Sequence, residues 1–454
     1  MTRRMAMISE HASPVALLGG VDAGGQNVYV DAVSRGLVTH GYETDVFTVR
    51  GELEQPRIVA WADGIRVIEM PVDAGAPLPK DALWPHMPAF RNAIDRFADR
   101  EGIGYDLIHG NFWMSGWVAA ELGLRWRTPT VQIFHATGVT KLREQGTADT
   151  SPAGRIEVEK AVVRAVDRLI AQCPAERDEL LADYRARADQ IALIPSAVDT
   201  ERFRPVDKSA ARQTLEIDPT TEMIVYVGRI VPRKDVRNVI HALARLTVRR
   251  LAAGIATMPV LFIVGGETER PDPIATPEIG VLRALAAELG VLDQVRFAGR
   301  RQPDELHLWY SAADVAVTTP WYEPFGLTPL EAMACGVPVI GSRVGGIAFT
   351  IADDETGFLV PPRDPEALCA RLAEILRDPA RRKRMGHTGR ARVLGSFTWQ
   401  QVAMRTAALY DDLLSARAAQ PLGWHRGLTR GVAARVRQPQ LQLQVESQSQ
   451  GVSA

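Results

Sequence analysis

Cysteine is scarce in this 454-residue chain: Cys173, Cys335 and Cys369 are scattered, odd in number and without metal-ligand spacing. That excludes a disulfide framework and leaves reduced, buried thiols, as in a cytosolic protein. Charge of either sign is not in excess, with a formal net charge of -1. A broad nucleic-acid-binding surface, which needs a clustered basic excess, is therefore not expected. Long apolar runs are missing, and none approaches the ~20 residues of a transmembrane helix. Arg3 and Arg4 precede only Met5-Ala6-Met7-Ile8, too short for a signal-peptide core and better read as a first strand. Asp-x-Asp is absent as well, so a metal-bound diphosphate has no obvious ligands.

What is present is ordinary globular material: 46% of residues are hydrophobic, enough for a sizeable core. The length gives a prior of roughly three domains of ~150 residues, or two larger ones. Short apolar strands alternate with amphipathic helices. Met5 to Ile8, Thr44 to Thr48, Asp106 to His109, Thr130 to Phe134, Arg168 to Ala171 and Gln190 to Ile194 read as strands, with a helix over Asn27 to His40. After Pro195 a second series runs through Met223 to Val227, Pro259 to Val264, Val295 to Ala298, Val315 to Thr318 and Val337 to Ile340. Helices are predicted between them over Asp304 to Ala313 and Thr328 to Cys335, the latter stopped by Gly336 and Pro338. The alternation predicts an α/β chain of two doubly wound parallel-sheet domains. The expected division is 1–195, 196–396, a helix at 397–416 that packs back on the first domain, and a tail at 417–454. In the tail, Trp424, Leu428, Val432 and Val436 recur every four residues among arginines. Such a stretch, 422–437, could touch an anionic membrane surface; a solvated helix or unstructured tail is the simpler reading. The Gln- and Ser-rich end, 438–454, reads as disordered.

Three loops carry candidate chemistry. In Trp321-Tyr322-Glu323-Pro324-Phe325-Gly326-Leu327-Thr328, a strand turns into a helix whose N-terminus offers N–H groups to an anion. Glu323 lies before that helix and Glu331 about one turn into it, so two carboxylates can read hydroxyls on different parts of one ligand. For either glutamate alone, a surface or helix-start charge is the better reading. In Val227-Gly228-Arg229-Ile230-Val231-Pro232-Arg233-Lys234, a strand ends in a tight turn followed by cations that suit a phosphate. Such cations can stabilise a departing diphosphate, although in isolation a solvated basic loop explains them. Without Asp-x-Asp, Arg229 and Lys234 are the expected neutralising charges, and no metal or other cofactor is expected. Asp22-Ala23-Gly24-Gly25-Gln26-Asn27 is a Gly-rich strand-to-helix loop, neither G-x-G-x-x-G nor a Walker loop. His135 ends a strand, where a parallel sheet opens to ligands; a satisfied structural histidine competes evenly with that reading.

Together these loops resemble the retaining glycosyltransferases of the GT-B fold. They are most similar to the branch of sucrose-phosphate synthase and the mycothiol-pathway glycosyltransferase. The resemblance runs to about Ala416 and includes the junction Ile194-Pro195-x-x-Val198-Asp199. It implies two Rossmann-like domains, a nucleotide-sugar donor, with a UDP-sugar expected, and a hydroxyl acceptor on a sugar, sugar phosphate or glycan- or lipid-linked carbohydrate. Residue by residue it implies that Glu323 meets the donor sugar, Glu331 the ribose, Arg229 and Lys234 the diphosphate, and the Phe325-Gly326-Leu327 backbone the donor. His135 would lie at the reacting face, and Gly24 and Gly25 near the diphosphate and acceptor. Lys80, Asn111 and Arg155 would hold the acceptor. Phe112 and Ala136 stand where the branch usually has hydroxyl side chains, which weakens the case for a phosphorylated acceptor. A nucleotide-sugar epimerase, a phosphorylase and a catalytically silent nucleotide-binding protein are the competing readings of this architecture. The expected location is cytoplasmic, with peripheral membrane contact only through 422–437.

Overall fold

The computed structural model describes residues 2–15, 24–50, 56–72 and 78–418. Asp22 and Ala23 of the Gly-rich loop, and both tail segments 422–437 and 438–454, lie outside the described residues.

The first sheet is built from β1 (Arg3–Ile8), β2 (Tyr42–Arg50), β3 (Arg57–Ala62), β4 (Ile65–Pro71), β5 (Leu107–Asn111), β6 (Thr130–Ile133), β7 (Arg168–Ala171) and β8 (Ile191–Leu193). Among the described residues its order is β3-β4-β2-β1-β5-β6-β7-β8. Met5 to Ile8 are all enclosed, because helices cover both faces of a parallel sheet and leave no wet side. The second sheet takes β9 (Met223–Val227), β10 (Val260–Val264), β11 (Val295–Gly299), β12 (Val315–Thr318), β13 (Val339–Ser342) and β14 (Gly357–Val360), in the order β11-β10-β9-β12-β13-β14. Its ladders are parallel; in the first sheet only the β3–β4 pair is antiparallel among the described strands. The sequence reading did not find β3, β4 or β14 and placed β13 two residues early.

Each order reverses once, between β1 and β5 and between β9 and β12. At such a switch point the loops leaving the carboxyl ends diverge and open a crevice. The crevices face each other: a Cβ placed on Gly25 would lie 3.6 Å from Leu327 Cδ1, and the Cys173 thiol lies 3.5 Å from the Pro324 carbonyl oxygen.

The helix Trp399–Ala418 follows the second sheet yet packs on the helix Gly25–Val38 of the first. Gly36 permits the approach, since a Cβ there would stand 2.4 Å from Ala403 Cβ. Tyr410 reaches the sheet, its hydroxyl 2.5 Å from His109 Nδ1, while the Tyr42 hydroxyl donates to Asp411 at 2.7 Å. The three cysteines are free and buried. No helix among the described residues is long and apolar enough to cross a membrane.

Candidate active site

The loops leaving β9 and β12 meet at the switch point of the second sheet. The turn Pro232–Lys234 carries Lys234 to Glu323, where its Nζ contacts Oε2; Arg233 Nη1 stands 3.6 Å from the same oxygen. The Lys234 and Glu323 side chains are only 13% and 12% exposed. Burial would raise the Glu323 carboxyl, but the charges of Lys234, Arg233 and Arg229 hold it below its ordinary value. Burial lowers Lys234, and Glu323 opposes that shift. Arg229 itself is exposed at the edge of this cluster. Glu331 accepts the Tyr310 hydroxyl at 2.7 Å, and burial raises its carboxyl.

Gly345 and Gly346 were not singled out from sequence, yet they back the Glu323 turn. A Cβ on Gly345 would lie 2.0 Å from the Glu323 carbonyl oxygen, and one on Gly346 2.4 Å from Phe325 Cα. The Gly346 amide donates to the Pro324 carbonyl at 3.1 Å. A Gly-Gly pair shortly after the strand Val339–Ser342 was the available signal.

On the facing side, His135 lies two residues beyond β6 with φ 59°, in the left-handed region that costs a non-glycine residue energy. Its Nε2 lies 3.1 Å from Asn111 Oδ1, its Nδ1 3.4 Å from Gln172 Nε2, and its ring meets Tyr29 edge-on at 4.9 Å. The contacts fit a neutral ring with the proton on Nε2. Burial, helped by the charges of His109 and His11, lowers its pKa to about 3. Asn111 is fully enclosed, with its amide on Met7 Sδ and the Ile8 carbonyl, so it reaches the cleft only through His135. Phe112 follows at φ 80° and ψ 165°, a region normally left to glycine. Lys80 Nζ and the Arg155 guanidinium lie 5.9 and 5.0 Å from the centre of its ring. Arg155 is buried and anchored: Nε donates to Glu159 at 2.8 Å and Nη2 to the Ala136 carbonyl at 2.6 Å. Gly24 precedes the helix Gly25–Val38, with its amide on Asn27 Oδ1 at 2.9 Å.

Between the two sides lies a cavity of about 300 Å³, lined by Thr137, Cys173 and Glu176 from one and Tyr322, Glu323 and Gly345 from the other. Glu176 accepts the Gln172 amide at 2.7 Å through Oε2, while Oε1 has no partner among the described residues. Burial lifts its carboxyl from 4.5 to about 7. The native state therefore binds the proton more tightly than the unfolded chain. Stability carried by that proton is present below pH ~4.5 and is lost as pH rises toward ~7. Glu176→Gln should remove this loss, worth about 1–3 kcal/mol. The check is the difference between the two proteins' unfolding free energies at pH 5 and pH 8. His109 and His135 carry the opposite sign, and taking the difference cancels them.

A basic turn and a carboxylate pair on one Rossmann-like sheet, facing a histidine on another across a cleft, define a glycosyltransferase of the GT-B type. Family models agree: the one described as "Glycosyl transferases group 1" matches residues 207–392, and "Glycosyltransferase Family 4" matches 23–202. The chain is 37% identical over 422 residues to a D-inositol 3-phosphate glycosyltransferase of Streptomyces bingchenggensis, covering 91% of this chain and 90% of that one. A protein of the same name from Acidothermus cellulolyticus is 36% identical, with 91% of each chain covered. Among solved structures, sucrose-phosphate synthase from Thermosynechococcus elongatus superposes with a TM-score of 0.80 at 33% identity, covering 91% of this chain and 100% of that one. The chain belongs to the group 1 glycosyltransferases, retaining enzymes that use nucleotide sugars.

Proposed function

We propose that the protein moves a hexosyl group from a nucleoside-diphosphate sugar, a UDP-sugar first, to a hydroxyl of a polyhydroxylated ring, without a metal. The observation that carries this reading is the buried contact of Lys234 with Glu323 at the switch point. It sets a cation for the diphosphate directly beside a carboxylate for the sugar. Arg229 and Lys234 hold the diphosphate, Glu323 takes the sugar hydroxyls, and Glu331 the ribose. The Phe325-Gly326-Leu327 backbone and Gly24 and Gly25 border the donor. His135, held by Asn111 and Gln172, faces the reacting carbon, and Lys80 and Arg155 border the acceptor.

Transfer proceeds on one face of the sugar. The bond from the anomeric carbon to the diphosphate breaks as the acceptor oxygen bonds to that carbon from the same side. The acceptor proton passes to the leaving diphosphate oxygen, so no side-chain base is needed. Closure of the two domains about the Pro195 junction excludes water, which would otherwise hydrolyse the donor. The relatives named for D-inositol 3-phosphate make inositols the first acceptors to try.

The test is a donor screen. UDP-glucose at about a hundred times its Kd should stabilise the protein by about 2.7 kcal/mol, read as a rise in unfolding temperature. Released UDP should then require myo-inositol, D-inositol 3-phosphate or another sugar hydroxyl, with chelator present. Conversion of the donor alone to another sugar nucleotide would support an epimerase instead. No stabilisation by UDP-, GDP- or ADP-sugars would overturn the reading.

A further inference from the structure

Two features on the His135 side would suit a phosphate on the acceptor, and both are already in use. One is the N-terminus of the helix Gly138–Gln145, whose first amides make a ready anion site. The Gly138 amide donates to both oxygens of Glu159, at 3.0 and 2.9 Å. The Val139 amide donates to the Tyr184 hydroxyl at 3.0 Å, and the Thr140 amide to Glu179 at 3.1 Å. Tyr184 in turn donates to Glu159 at 2.5 Å. A carboxylate of the chain itself therefore occupies the place a phosphate would take. The other feature is Arg155, which is 4% exposed. Its three nitrogens donate to Glu159, to the Ser151 hydroxyl at 3.1 Å and to the Ala136 carbonyl. Its guanidinium also lies over the Phe112 and Trp113 rings, 5.0 and 5.8 Å from their centres.

The charges here are balanced as well. Arg155 pairs with Glu159, Lys141 with Asp149 at 2.9 Å and Arg143 with Asp183 at 3.0 Å. Burial raises the Glu159 carboxyl, but Arg155, Tyr184 and the Gly138 amide all oppose that shift. Each of those contacts is a donor, which a carboxylate accepts. Drawing Arg155 onto a phosphate would strand the enclosed Glu159 charge and the Ala136 carbonyl, the costly way to break a buried pair. We propose that this protein selects an acceptor ring without a phosphate, and that Glu159 determines this by filling the anion position itself. In this the chain departs from what the names of its inositol-phosphate relatives suggest. The proposal rests on the transferase reading above and names that site's acceptor class.

The experiment supplies acceptor pairs that differ only by a phosphate: myo-inositol with D-inositol 3-phosphate, glucose with glucose 6-phosphate, and fructose with fructose 6-phosphate. The donor is UDP-glucose, or whichever UDP-, GDP- or ADP-sugar stabilises the protein in the screen above. One displaced hydrogen bond corresponds to about a tenfold change, so kcat/KM should favour the unphosphorylated member by about tenfold or more. Glu159→Gln keeps the shape and an accepting carbonyl while removing the charge. It should shift that ratio about tenfold toward the phosphorylated member. A purely structural Glu159 would lower the unfolding temperature and the rate with both members alike, leaving the ratio unchanged, and that result overturns the proposal. A wild type that prefers the phosphorylated member of any pair overturns it too. So does transfer to no member of any pair by a protein that a nucleotide sugar stabilises. Stabilisation by no nucleotide sugar would instead sink the transferase reading, and this assignment with it.

Discussion

Lys234→Ala is expected to lower kcat by about 10²–10³, the loss seen when one preorganised charge-stabilising group is removed from an active site. The reason lies in where the charge goes. As the glycosidic bond breaks, negative charge grows on the diphosphate, and a compact ammonium shielded from water stabilises it more than it stabilises the intact donor. Lys234 is largely buried, so solvent screens it little. Donor KM should change less than kcat, because the lost interaction strengthens in the transition state. The same substitution removes the nearest counter-charge of Glu323, leaving Arg233 at 3.6 Å. Some stability should be lost, and Lys234→Arg separates the two effects by restoring the charge with a different shape. Near-normal kcat in a folded Lys234→Ala protein would remove Lys234 from the mechanism.

The sequence made the architecture legible where burial wrote a simple pattern. Met5–Ile8 and Met223–Val227 are enclosed on both faces and read as unbroken apolar runs. β3 and β4 escaped for the converse reason. β3 is an edge strand with Arg57 and Ile58 exposed, so no apolar run marks it, and Arg66 and Glu69 interrupt β4. Their antiparallel pairing also falls outside the strand-helix alternation. β14 is four residues long and begins with glycine, too short to show a period. The loops proposed to hold the donor were legible because their charges are close in sequence to strand ends. Glu323 and Lys234 could be named from their loops, but 89 residues separate them and only the fold brings them into contact. The side proposed for the acceptor was less legible. Asn111 looked like a ligand contact and lies enclosed behind His135.

Gly346→Ala is expected to cut kcat/KM by about 100-fold while the protein still folds, the scale on which misplacement of a site by about 1 Å acts. Gly346 touches no charge of the site. It lies against the turn that aims Glu323, where an added methyl carbon would sit 2.4 Å from both Phe325 Cα and its carbonyl oxygen. Backbone cannot rotate out of the way as a side chain can, so Pro324 and Phe325 must retreat. Glu323 moves with them, and so does the Phe325-Gly326-Leu327 segment, whose Leu327 side chain faces Gly25 across the cleft. Lys234 sits on a different loop and does not follow. The substitution therefore parts the carboxylate from its cation, and donor KM should rise with kcat falling, unlike the kcat-dominated loss from Lys234→Ala. Overpacking of this kind costs about 1–3 kcal/mol of stability, so thermal unfolding should remain cooperative at a lower midpoint. Gly345→Ala should act at least as strongly, since its Cβ meets the Glu323 carbonyl oxygen at 2.0 Å from a backbone already at φ 42°. Unchanged donor KM in both variants would show that the turn can yield without moving Glu323, and would detach the glycine pair from the site.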